Sequence, residues 1–75
     1  MMNIFTVIQN DYASGVEQLI LVSNDFKYVV DSLPDYYEKG TNLYVQVWRD
    51  NNIQKIFMYV DNTLELIVDF EKEGE

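Results

Sequence analysis

The chain has 75 residues, 13 of them acidic and five basic, with no histidine and no cysteine, for a formal net charge of −8. That length supports a single hydrophobic core, and the 48% apolar and 15% aromatic fractions set the chain apart from disordered acidic segments. Lack of cysteine excludes a disulfide framework, a thiolate nucleophile and a zinc–cysteine site; lack of histidine removes the commonest general base and metal ligand.

The first element is a strand over Asn3 to Ile8, N-I-F-T-V-I, rich in β-branched and aromatic residues. The turn-forming cluster Asn10 to Gly15 follows, then a second apolar run, Val16 to Val22, which pairs with the first as an antiparallel hairpin. Phe26, Val29, Val30 and Leu33 then recur at i, i+3, i+4 and i+7 behind a Ser23-Asn24-Asp25 cluster able to cap a helix. Pro34 is expected to end this amphipathic helix at Leu33, unless it starts a further turn over Asp35 to Glu38, and Gly40 closes the connection.

Asn42 to Arg49 alternates, with Leu43, Val45 and Val47 on one face and Tyr44, Gln46 and Trp48 on the other. A tight turn at Asp50-Asn51-Asn52 leads into Ile53 to Val60, and Asp61-Asn62 marks another. Beyond it Leu64, Leu66, Val68 and Phe70 alternate against Glu65, Ile67 and Asp69, which reads as a third strand of the meander, with a helix as the competing reading. Residues 1–70 thus form one domain, and residues 71–75, E-K-E-G-E, an acidic, solvated tail.

The resulting order β-β-α-β-β-β is an α+β fold: an antiparallel sheet of about five strands with one helix packed on one face. One helix covers only part of such a sheet, and Phe57 and Tyr59 alternate with Ile56, Met58 and Val60, so both faces of that strand are apolar. A second cover is implied: a sister subunit, a partner, or curvature of the sheet itself. Homodimerisation is one way for so small a domain to bury more apolar surface.

Two-carboxylate chemistry has no apolar cleft to work in, since Asp69, Glu71, Glu73 and Glu75 crowd towards the chain end. Asp50, Asp61 and Glu65 do not make an EF-hand loop, and the isolated Gly15, Gly40 and Gly74 make neither a P-loop nor a dinucleotide fingerprint. No enzyme activity, cofactor or metal is expected. No apolar run approaches the ~20 residues needed to span a bilayer, and no basic segment leads into an apolar stretch at the start, so the expected location is the cytoplasm. The negative charge disfavours direct binding to nucleic acid or anionic lipid.

Surface recognition remains. Six tyrosines and one tryptophan exceed what one small core needs, and both types are enriched in binding hot spots. Tyr36 and Tyr37, flanked by Asp35 and Glu38, either contact a partner or pack over the helix end; Trp48, sharing a strand face with Tyr44, is either core or an exposed ridge. Asp25, Asp31, Asp35 and Glu38 make a negative face interrupted by Lys27 and Lys39, serving either solubility or recognition of a basic groove.

In size, charge, aromatic content and lack of catalytic residues the chain resembles small phage-encoded inhibitors, including anti-CRISPR proteins and DNA mimics. In element order, with V-W-R-D-N-N-I as the second turn, it also resembles short uncharacterised bacterial and phage domains. The first resemblance implies a non-enzymatic inhibitor acting in a bacterial host cell on a basic, nucleic-acid-binding protein such as a CRISPR nuclease. The residues expected to meet that partner are Asp31, Asp35, Tyr36, Tyr37, Glu38, Tyr44 and Trp48. A structural module that self-associates through the uncovered sheet face is the alternative.

Overall fold

A computed structural model describes residues 2–71. Strands β1 (Ile4–Asp11) and β2 (Glu17–Ser23), helix α1 (Phe26–Tyr36) and strands β3 (Thr41–Arg49), β4 (Asn52–Val60) and β5 (Thr63–Asp69) follow in the expected order. The five strands form one open antiparallel sheet in the order β2-β1-β3-β4-β5. Because β2 and β3 both pair with β1, they run parallel on either side of it, and α1 makes the crossover between them.

The connections follow from local chemistry. Asp50-Asn51 and Asp61-Asn62 have φ of 52°, 67°, 49° and 66°, the pair of positive values that a two-residue type I′ hairpin needs and that Asn and Asp tolerate best among residues with a Cβ. In the first hairpin Asp11 Oδ1 accepts from the Ala13 N–H at 2.8 Å, and Gly15 takes φ of 72°. Asp25 caps α1 by accepting the Tyr28 N–H at 3.2 Å.

Pro34 does not end the helix at Leu33: α1 continues to Tyr36. Pro34 withholds the N–H that Val30's carbonyl would take, but only one turn from the helix end. Leu33 is fully buried and Tyr36 packs against the core, so burial on either side of the proline outweighs its local preference. The Tyr37 N–H bonds the Leu33 carbonyl, and Gln9 Nε2 donates to the Tyr36 carbonyl at 3.2 Å, satisfying two groups at that helix end.

Phe5 and Val7 of β1, Val29 and Leu33 of α1, and Leu43, Val45 and Val47 of β3 form the core. Each side chain of this kind contributes about 1.5–3 kcal/mol on full burial. The helix lies over β1 and β2, and Phe26 at its start bridges Phe5 and Phe57, with ring centroids 5.1 and 6.4 Å away. Val30 is only half-buried and Phe26 sits at the rim, so the central pair Val29 and Leu33 carries the helix contact.

Three extra residues bend the sheet. Register shifts leave Ile20 in β2, Gln54 in β4 and Ile67 in β5 without a direct partner. The first lets the consecutive Ile20 and Leu21 both pack towards the core. The third corrects the simple alternation of β5: Leu64 and Leu66 oppose Tyr59 and Phe57 on the helix side, whereas Val68 opposes Ile56 on the other, and Phe70 lies beyond the strand. Glu71, assigned by sequence to the solvated tail, is tied down by Arg49 at 3.3 Å and Lys55 at 3.4 Å. The rest of the tail, residues 72–75, lies outside the described residues.

Candidate protein-binding surface

The face of the sheet turned away from α1 is built by the residues that alternate with the core. β3 sends Leu43, Val45 and Val47 inward and therefore Tyr44, Gln46 and Trp48 outward; pairing sets Ile4, Thr6 and Ile8 beside them on one side, and Ile53, Ile56 and Met58 on the other. No element of the described residues crosses this face.

The face holds two depressions. One, of about 330 Å³, is lined by Met2, Ile4, Thr6, Trp48, Asp50 and Asn51. The other, of about 200 Å³, is lined by Ile8, Glu17, Tyr44, Gln46, Ile56 and Ile67. Glu17 belongs to one edge strand and Ile67 to the other, so a single depression spans the sheet and the open face is concave. The bulges bend the strands in a way that permits this shape.

A polar chain crosses the apolar lining. Trp48 Nε1–H donates to Thr6 Oγ1 at 3.2 Å, and the Thr6 hydroxyl donates to Gln46 Oε1 at 2.8 Å. These bonds hold the indole and the Gln46 amide at fixed angles, which lowers the entropic cost of presenting them to a ligand. Each depression has one carboxylate, Asp50 or Glu17, and Glu65 stands opposite Met58 on the same face. The described cations lie elsewhere: Lys27 on α1, Lys39 in the α1–β3 connection, and Arg49 and Lys55 joined by Glu71 on the helix side. Among the described residues, the open face is therefore largely apolar, crossed by one hydrogen-bonded polar chain, and anionic in its charges.

The structure divides the seven residues singled out by sequence. Tyr44 and Trp48 stand on the open face, one in each depression. The other five stand on α1 and the connection after it. Tyr36 packs against the core, whereas its neighbour Tyr37 is 49% exposed and meets Tyr59 edge-on at 6.2 Å. Asp35 and Glu38 are exposed, but Asp31 is occupied by Lys27 at 2.9 Å and Asp25 by its cap, so the helix side is not a continuous row of free carboxylates. The hydrogen bond to Asp31, and then its charge, raise the Lys27 pKa above the ordinary lysine value.

Sequence reasoning did not single out Thr6, Ile8, Glu17, Gln46, Ile56 or Ile67. The alternation of β3 carried the signal for Gln46 and that of β4 for Ile56; the others needed the strand order and, for Ile67, the bulge. Among the described residues no group of three acidic, histidine or cysteine side chains is placed to hold a metal ion, and no helix is long and apolar enough to cross a membrane. The chain matches no protein-family model, no curated protein and no solved structure.

Proposed function

We propose that this chain is a non-enzymatic binding protein whose concave sheet face receives an apolar segment of a partner protein flanked by lysine or arginine. The observation that carries this reading is the pairing, in each depression, of a large aromatic with a carboxylate and no cation: Trp48 with Asp50, and Tyr44 with Glu17. Aromatic anchors in a recessed apolar setting supply affinity, while the surrounding charge selects and steers a basic partner. A net charge of −8 extends that steering over the whole molecule. Basic surfaces with apolar relief are what nucleic-acid-binding proteins use to hold phosphate backbones, so occupying one makes the chain an inhibitor of such a protein.

The second reading, self-assembly through the same face, is favoured by Leu19 and Val22, which are 59% and 54% exposed along β2. Two copies face to face would bring together Glu17, Asp50 and Glu65 of each with no cation from that face to offset them, which favours the basic partner.

The test is retention of basic nucleic-acid-binding proteins on immobilised chain, followed by challenge with salt and with duplex DNA. The expected partner leaves as salt rises, is displaced by DNA, and is lost from the Tyr44→Ala/Trp48→Ala variant, each aromatic being worth about 2 kcal/mol or more at a hot spot. Undiminished retention on that variant, with its fold intact, would overturn the reading. A concentration-dependent dimer that no salt or DNA disturbs would transfer the face to self-assembly.

A further inference from the structure

On the helix side of the sheet, at the end away from the Phe5–Phe26–Phe57 cluster, Tyr37, Tyr59, Asp61 and Asn62 line a notch of about 210 Å³. Three separate parts of the chain build it. Tyr37 caps the end of α1; Tyr59 lies opposite Leu43 near the end of β4; Asp61 and Asn62 are the two residues of the β4–β5 turn. The tyrosine rings stand 6.2 Å apart at 63°, an edge-to-face contact rather than a stack. The Tyr59 hydroxyl donates to Asn62 Oδ1 at 3.1 Å, locking that ring to the turn that carries Asp61. Among the described residues no lysine or arginine is paired with Asp61.

We infer that this notch binds an N-alkylated ammonium group, such as a quaternary ammonium headgroup or a methylated lysine side chain. A cation in the notch is attracted by the negative face that the edge-on ring pair leaves free, and Asp61, which lines the same notch, adds a full opposite charge. Alkylation is the fitting chemistry. A bare ammonium ion is strongly hydrated and gives up its water at a cost, whereas methyl groups on nitrogen spread the charge, weaken hydration and fill apolar walls. The volume admits a group of trimethylammonium size. The notch and the open face lie on opposite sides of the sheet, so the two assignments stand or fall separately.

The experiment is a titration of the full chain with choline, followed through the tyrosine ring signals in NMR spectra, with 3,3-dimethylbutan-1-ol as the neutral carbon isostere. The result expected is a saturable shift of the Tyr37 and Tyr59 signals with choline and a far weaker response to the isostere. Tyr37→Leu and Asp61→Asn should each weaken choline binding, by roughly fivefold for the loss of one cation–π wall. Asn is at ease at the positive φ of residue 61, and Tyr37 is exposed, so neither change threatens the fold. Equal response to choline and its isostere, or shifts unaffected by both substitutions, would overturn the inference. A peptide bearing trimethyl-lysine, compared with its unmodified form, separates the sources: tighter binding than choline assigns the notch to a protein side chain, equal binding to the free headgroup.

Discussion

The two faces of this sheet are built from the same strands and nearly the same residue types, yet they end in different states. On β3, Leu43 and Val45 are fully buried in the core on the helix side, while Tyr44 and Gln46, one residue away on the same strand, line an open hollow. Apolar composition does not distinguish them, since Ile4, Ile8, Ile56 and Ile67 are as apolar as the core. What distinguishes them is cover and polarity. Among the described residues, the helix side closes on aliphatic and aromatic side chains without a polar chain among them. The open side threads the hydrogen-bonded chain Trp48–Thr6–Gln46 through its centre, and among the described residues its charges are negative. A core tolerates no such unshielded combination, whereas a recognition surface benefits from it, because fixed polar groups among apolar ones give a partner its orientation.

Substitutions that remove equal volume from the two faces sharpen this contrast most. Leu33→Ala, in the fully buried centre of the helix contact, should cost about 2–5 kcal/mol in chemical denaturation. Ile56→Ala, on the half-buried open face, should cost less than half as much. Equal losses would break the contrast and mean that the open face is covered in solution. Next in size are the two turns on which the β3–β4–β5 meander depends. Asn51→Ala or Asn62→Ala places a Cβ less suited to φ of 67° or 66° and should cost about 1–2 kcal/mol, while Asn51→Gly should lose nothing and Asn62→Gly only the hydrogen bond from the Tyr59 hydroxyl. If alanine is tolerated at both, the hairpins draw their register from cross-strand packing alone.

Smaller again is the helix cap. Asp25→Ala leaves the Tyr28 N–H without its acceptor and should lower the thermal midpoint by an amount equivalent to about 1 kcal/mol. Smallest is the exposed Lys27–Asp31 pair: Lys27→Met should leave stability unchanged within error at moderate salt. The folded pKa of Lys27 is raised, so whatever the pair contributes is present in full below the ordinary lysine value of 10.5 and disappears as pH rises through the folded value. A variant whose stability profile still matched the parent's across that alkaline window would confine Lys27 to the surface.

Much of this architecture is legible in the sequence because it is decided within a few residues. The order of elements, the caps and the turn positions depend on local chemistry: the i, i+3, i+4, i+7 spacing of Phe26 to Leu33, the carboxylate of Asp25, and the Asp-Asn pairs that accept positive φ. The helix terminus, legible only as a choice between Leu33 and a further turn after Pro34, was left open for the complementary reason. Pro34 speaks only for its own turn, whereas Leu33 and Tyr36 answer to a core assembled from β1 and β3. The candidate site was legible in part: Tyr44 and Trp48 stand on the open face, and the helix acids and Tyr36 stand on the other side.

Sequence alone thus determined the order of elements up to β4 and the places of the hairpin turns, left the last segment open between strand and helix, and pointed to a second apolar face on the sheet. Only tertiary structure decided the strand order β2-β1-β3-β4-β5, the face that α1 covers, the partition of Tyr36 from Tyr37, and the bulge that brings Ile67 into the hollow. The physical reason is range. Caps and turns are settled by interactions across three or four residues, while strand partners up to 44 positions apart, such as Ile4 and Trp48, are chosen by which pairing buries the most apolar surface at once.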